Sequence, residues 1–164
     1  MAVIFLLGPG MWAAHDAARP EPPPMATRRR LAAILNAGGH RAFLMEDDPD
    51  RAGEDLIEKF DRLLRSGATD VLLYWPPLAK MQTTYDELIL LCDRRELLQQ
   101  LGIVIWVLHH VKVAAIAAGT FRILEKGGRS RYLTAVAGLG VQPLEWETDA
   151  DLDDRVRLLA AELD

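Results

Sequence analysis

Short, mostly apolar stretches recur along this chain, and stretches of helical periodicity separate them. The apolar runs are Val3–Leu7, Arg41–Met45, Val71–Trp75, Ile103–Leu108 and Gln142–Trp146. Runs of this length that lack polar alternation are typical of strands buried on both faces. They therefore predict a parallel sheet whose two sides are covered by helices.

The intervening segments carry apolar residues at helical spacing. Between Leu56 and Leu64 the apolar positions recur at i, i+1, i+4, i+7 and i+8, which predicts an amphipathic helix that Gly67 ends. The same argument predicts four more helices, over Ala26–Ala37, Tyr85–Gln100, Ala114–Leu124 and Asp149–Leu163. Asp149 or Asp151 can cap the last of these helices.

The alternation of strands and helices defines the expected fold class. Right-handed crossovers between parallel strands give an α/β, flavodoxin-like doubly wound sandwich, with about five mostly parallel strands and helices on both faces. The 164 residues suit one domain, so we expect a single α/β domain over residues 1–164.

Composition narrows the range of partners. There are 24 acidic and 19 basic residues, giving a formal net charge of −5, which disfavours nucleic acid as a partner because phosphate binding needs a concentrated basic surface. No apolar run approaches the roughly 20 residues of a membrane span, and the apolar start lacks the basic residues of a signal peptide. The single cysteine, Cys92, cannot form an internal disulfide. These features predict a cytoplasmic protein that does not bind membranes.

Candidate chemistry is expected in the loops that follow the strands, because open parallel sheets bind ligands outside the carboxyl ends of their strands. Four loops qualify: Gly8–Pro24, Glu46–Gly53, Pro76–Thr84 and His109–Lys112. The first is unusually long and contains the proline-rich stretch Arg19–Pro24. Loops of that length in a compact domain are often functional.

The strongest signal follows the third strand, where a polar loop opens a helix that contains Thr84, Asp86 and Glu87. One interpretation is structural: Thr84 and Glu87 have the spacing of a capping box, in which the two side chains only satisfy backbone N–H groups. The other interpretation is functional: a carboxylate facing a pocket can stabilise a sugar cation or attack it.

The other loops leave similar alternatives open. Gly8 and Gly10 form either a simple turn or a place where backbone approaches a ribose or phosphate. They match neither a Walker motif nor the Rossmann spacing, which disfavours a dehydrogenase. Asp47 and Asp48 belong either to a solvated loop or to a pocket rim. The pair after the fourth strand, His109 and His110, lacks neighbouring metal ligands and is interpreted as one packed and one exposed ring.

Three segments together resemble a known superfamily. These are VIFLLGPGMW, GHRAFLMEDDPDRAGEDLIEKF and TDVLLYWPPLAKMQTTYDEL, within Ala2–Leu108. They resemble the superfamily that joins Toll/interleukin-receptor (TIR) domains with nucleoside 2-deoxyribosyltransferases, in which the helix after an apolar strand bears the catalytic glutamate. The matching residue here is Glu87.

The resemblance implies an enzyme that cleaves the N-glycosidic bond of NAD or of a (deoxy)nucleoside. The catalytic residues are then Glu87 and Asp86, and the substrate-binding residues are Gly8, Gly10, Trp12, Asp47, Asp48, Trp75, Thr84 and Tyr85. NAD enters as a substrate, and neither a metal nor another cofactor is expected. The alternative is a non-catalytic TIR-like module that binds a nucleotide or assembles with copies of itself into a homo-oligomer.

Overall fold

Five parallel strands form one sheet in the computed structural model, which describes residues 1–10, 23–77, 82–112 and 135–163, with only backbone for Gln82, Thr83 and Tyr85. The strands are β1 (Val3–Leu7), β2 (Arg41–Leu44), β3 (Asp70–Trp75), β4 (Val104–His110) and β5 (Leu144–Trp146). They lie side by side in the order β2-β1-β3-β4-β5. This order confirms the predicted α/β, flavodoxin-like doubly wound fold.

The helices connect these strands. They are α1 (Pro23–Ala37), α2 (Leu56–Arg65), α3 (Gln82–Asp93), α4 (Arg95–Leu101) and α5 (Asp149–Glu162), together with a short 3₁₀ helix over Met45–Asp47. Residues 135–139 are also helical. The predicted helix Ala114–Leu124 lies outside the described residues. The N-terminal cap of α5 is Thr148, whose side chain accepts a hydrogen bond from Asp151 N. The prediction that Asp149 or Asp151 caps this helix is therefore wrong.

Two apolar cores lie on opposite faces of the sheet. Side chains of a strand alternate between faces, so Phe5 and Leu7 enter the core beneath α2, α3 and α4. Ile4 and Leu6 enter the core beneath α1 and α5. Both faces of β1 are therefore covered, which explains why this strand is apolar throughout.

One predicted helix is divided in two. The sequence predicts a single helix over Tyr85–Gln100, whereas α3 ends at Asp93 and α4 begins at Arg95. Arg94, at the break, forms an ion pair with Asp61 of α2. This contact with α2 was not evident from periodicity, because the apolar stripe continues through Leu98.

The winding direction reverses between β1 and β3. The chain leaves β1 for β2 at one side of the sheet and then crosses back to β3, which pairs with the other side of β1. The crevice at the carboxyl ends of such a pair of strands is the usual ligand site of doubly wound folds. Of the helices in the described residues, none is long and apolar enough to cross a bilayer.

Candidate functional site

Glu87 lies at the carboxyl edge of the sheet, where β1 and β3 end. Its residue surface is 6% exposed, and its Oε2 accepts a hydrogen bond of 2.9 Å from Gly8 N. Gly8 directly follows β1, and α3 follows β3. The side chain therefore spans from α3 to the β1 turn at the switch point of the fold.

The position of Glu87 within α3 explains why it points inward. Three residues near Glu87 are fully buried: Thr84 three positions before it, Leu88 directly after it, and Leu91 four positions after it. Residues at these spacings share one face of a helix. The acid consequently belongs to the apolar stripe by which α3 packs on the sheet.

The capping interpretation of Thr84 and Glu87 is wrong in this structure. The helix begins at Gln82, so Glu87 lies in its second turn and bonds to Gly8 rather than to the helix start. Thr84 Oγ1 is buried, and no group of the described residues bonds to it. A capping box needs both side chains to bond the first turn, and neither does so.

Gly8 can approach the site only because it is glycine. Its φ angle is +142°, and a Cβ at this position would lie 2.7 Å from the carbonyl oxygen of Tyr74. Both features exclude a side chain, so the backbone of the turn lies directly against β3. This close packing presents the Gly8 N–H to Glu87.

A buried ion pair completes the site. Arg28 of α1 is fully buried and binds Glu46 of the 3₁₀ helix through both nitrogens of its fork, at 2.6 and 3.1 Å. The guanidinium also donates to the carbonyl of Leu6 at 2.8 Å and to that of Pro9 at 3.4 Å. A Cβ on Gly10 would overlap Glu46 Oε1. Both predicted glycines therefore allow close backbone approaches, Gly8 to the Tyr74 carbonyl and Gly10 to the Glu46 carboxylate.

Burial dominates the electrostatics of Glu87. Loss of hydration raises the pKa of its carboxyl to about 8, although the cation of Arg28 and the Gly8 N–H act in the opposite direction. The carboxylates of Glu46 and Asp86 raise this pKa further. Near neutral pH the carboxyl thus holds its proton, and it can serve as an acid.

The acidic residues of the second loop are held by cations. Asp47 is exposed and lies 2.7 Å from Arg29 Nη1. Asp48 binds Arg62 of α2 at 2.7 Å, and Glu54 shares the same guanidinium at 2.6 Å. The structure therefore ties this loop to α1 and α2, and it does not bring Asp47 or Asp48 into contact with Glu87.

The other predicted site residues are dispersed. Trp75 is buried in the core beneath α2 and α3, so its ring is not presented at a surface. Asp86 is exposed on α3. Trp12, the side chain of Tyr85 and most of the Arg19–Pro24 stretch lie outside the described residues.

His109 and His110, the last two residues of β4, are both buried, so the prediction of one exposed ring is wrong. His109 Nε2 lies 3.4 Å from Glu145 Oε1, and burial lowers the pKa of His109. His110 packs edge-on against Trp146 and lies 2.9 Å from the Glu147 carbonyl. Within the described ranges, no cluster of three His, Cys, Asp or Glu side chains could hold a metal ion.

Sequence reasoning missed Arg28 and Glu46 as parts of the site. Arg28 belongs to a run of three arginines, which reads as a solvated surface. It nevertheless stands three residues after Met25 and three before Leu31, both fully buried, so its place in the apolar stripe was a usable signal. Glu46 was visible only as one acid among several in its loop.

Comparison with known proteins adds no further assignment. A scan against protein-family models and a search of curated proteins find no match for this chain. The resemblance to the superfamily of TIR domains and deoxyribosyltransferases thus stays a prediction that rests on the residues themselves.

Proposed function

We propose that this protein cleaves the N-glycosidic bond of a nucleoside or of NAD, and that Glu87 is the carboxyl group that acts on the scissile bond. The observation that carries this proposal is the buried carboxyl of Glu87 at the switch point of the sheet, held by Gly8 N–H. A buried titratable group with a strongly raised pKa, at the switch point of a doubly wound sheet, is typical of a functional site.

The protonation state of Glu87 indicates its role. When the bond from C1′ to the base breaks, both electrons go to the base nitrogen, and the proton of Glu87 goes to the departing base. The sugar is left as an oxocarbenium ion beside the newly formed carboxylate, which stabilises the positive charge. Water then adds to C1′ and loses a proton to that carboxylate, which restores the acid.

This chemistry favours nucleosides over NAD. A nucleobase departs as an anion unless it receives a proton, so a protonated carboxyl lowers the barrier. Nicotinamide departs from NAD as a neutral molecule and gains nothing from an acid. We therefore expect purine nucleosides to be turned over faster than NAD.

The test is a comparison of the wild-type protein with Glu87→Gln on purine ribonucleosides, purine deoxyribonucleosides and NAD, followed by chromatography of the released base. Loss of a general acid lowers rates by about 10²- to 10⁴-fold, so turnover by Glu87→Gln should fall at least a hundredfold. Glu96→Gln is the matched control, because Glu96 is exposed on the neighbouring helix α4. Turnover retained by Glu87→Gln contradicts the proposal.

A specific contact also favours a second function, a non-catalytic module that binds a nucleotide or assembles with its own copies. The bond from Gly8 N to Glu87 ties α3 to the β1 turn, which is a structural task. In this case the wild-type protein releases no base from any of the three substrates. Calorimetry with the same nucleosides would then measure binding, and light scattering would measure assembly.

A further inference from the structure

The ion pair between Arg28 and Glu46 has no part in the chemistry proposed above, yet it lies beside Glu87. The side chain of Arg28 is 1% exposed and that of Glu46 is 19% exposed. Taking a guanidinium out of water is costly, so a largely buried ion pair is weak evidence of a contribution to stability. Its position therefore calls for a role in the site.

Gly8 joins the ion pair to the acid. Its N–H donates to Glu87 Oε2, and a Cβ built on it would lie 3.3 Å from Cδ of Arg28. The two carbonyls that accept hydrogen bonds from Arg28 belong to Leu6 and Pro9, which stand on either side of this turn. Arg28 thus holds the turn from both directions while Gly8 meets Glu87.

We propose that Arg28 and Glu46 are positioning residues for Glu87: they fix the β1 turn whose N–H the acid binds, and they place two opposite charges beside it. Each member has its own direction of effect. The cation of Arg28 favours the ionised form of Glu87, and the anion of Glu46 opposes it.

Other groups act on the same carboxyl from its surroundings. Gly8 N–H, in the turn after β1, favours the anion, and Asp86, on α3 itself, opposes it. Neither belongs to the ion pair. Changes to Arg28 and Glu46 leave the influence of Asp86 in place, whereas loss of Arg28 also loosens the turn that carries Gly8 N–H.

The experiment follows the ¹³C resonance of the Glu87 side-chain carboxyl during a pH titration of protein labelled at glutamate, with the resonance assigned from the spectrum of Glu87→Gln. Arg28→Met should raise the midpoint by about one pH unit or more, and Glu46→Gln should lower it by a similar amount. The double variant should return it towards the wild-type value. Structural damage alone would not shift the midpoint in opposite directions.

Matched controls come from the adjacent ion pair. Arg29 and Asp47 join the same two helices at the surface, with side chains 41% and 44% exposed. Water screens these charges, so Arg29→Met and Asp47→Asn should leave the Glu87 midpoint nearly unchanged. If Arg28→Met does not fold, Glu46→Gln still tests the proposal through its own direction of shift. Shifts of both single variants in the same direction, or no shift in Glu46→Gln, overturn it.

The effect on catalysis rests on the proposed function, whereas the effect on the titration does not. If wild-type protein releases base, the pH profile of kcat/KM should move with the Glu87 midpoint in each variant. Shifted midpoints without any turnover would contradict the proposed function alone. Turnover with unshifted midpoints would contradict this inference alone.

Discussion

Acids follow two strands that are consecutive along the chain, β2 and β3, and they meet opposite surroundings. Asp48 and Glu54, in the loop after β2, share the guanidinium of Arg62, which lowers the pKa of both and holds that of Glu54 at about 2. Glu87, in the helix after β3, accepts a hydrogen bond from the backbone N–H of Gly8, and burial raises its pKa to about 8. Near pH 7, Asp48 and Glu54 are therefore ionised, whereas Glu87 is mostly protonated.

The difference shows that a cluster of acids in a sequence is weak evidence for chemistry. The loop after β2 carries most of the local negative charge, but α1 and α2 supply a cation to each carboxylate that was predicted to line a rim. Glu87, which lies within the apolar stripe of α3, is instead an acid whose pKa is raised towards neutral pH. The direction of the pKa shift, rather than the number of acids, separates the two regions.

The largest expected effect is a pH dependence of stability that differs in sign between the regions. Folding raises the pKa of Glu87 from 4.5 to about 8, so the folded state keeps a proton that the unfolded chain has released. Its stabilising contribution is complete below about pH 4.5 and is lost as the pH rises through 8. Relative to Glu87→Gln, the wild-type free energy of unfolding should fall by about 3 kcal/mol between pH 5 and 7.5 in urea titrations.

Glu54 provides the opposite case. Its pKa is lowered from 4.5 to about 2, so its contribution is present above pH 4.5 and is lost as the pH falls towards 2. Glu54→Gln should therefore weaken the acid-induced loss of stability and leave the slope between pH 5 and 7.5 unchanged. An equal slope for wild type and Glu87→Gln in that window would remove the contrast between the regions.

An intermediate effect is expected from the turn that holds Glu87. Gly8→Ala places a side chain at φ +142° and 2.7 Å from the Tyr74 carbonyl oxygen. Backbone strain alone costs about 1–3 kcal/mol, and the overlap adds to it. Gly53→Ala is the matched control in the loop after β2, because Gly53 has φ +78° but no neighbouring atom of the described residues lies within 4 Å of its Cβ position. Denaturation should show a clearly larger loss for Gly8→Ala, and equal losses would contradict this packing.

The smallest effect is expected at the surface of the acidic loop. Asp47→Asn removes an exposed ion pair with Arg29, and pairs of this kind contribute about 1 kcal/mol or less. Thermal unfolding near pH 7 should place this variant close to the wild type. A large fall in the thermal midpoint of Asp47→Asn would contradict the view that this ion pair is a weak surface contact.

The sheet was predictable because each strand is buried on both faces and so has an apolar signature of its own. The start of β1 at Val3 and its end at Leu7 match the prediction, and the other strands differ from it by only a few residues at their ends. The ends of the helices depend in part on tertiary contacts, which the hydrophobic periodicity does not show. The break between α3 and α4 occurs where Arg94 binds Asp61, a residue distant in sequence.

The site was predictable in part. Glu87 follows β3, and the topology of a parallel sheet brings that position near the turn after β1, so its approach to Gly8 could be expected. That the carboxyl bonds to Gly8 N–H, rather than to the start of its own helix, was not predictable. Thr84, three residues earlier, made a capping box with Glu87 an equally good local explanation. Arg28 and Glu46 meet only after α1 has packed on the sheet, which no local pattern describes.

The bond between Gly8 N and Glu87 Oε2 also links the position of the β1 turn to the protonation of Glu87. If the turn moves away from Glu87, water hydrates the carboxyl and its pKa falls towards the ordinary value of 4.5. Near neutral pH the carboxyl then releases its proton. We therefore expect alkaline pH to favour the open form of the turn, because that form releases the proton. A ligand that separates Glu87 from Gly8 and hydrates it would likewise expel a proton on binding. Calorimetry in buffers of different ionisation heat would count that proton directly.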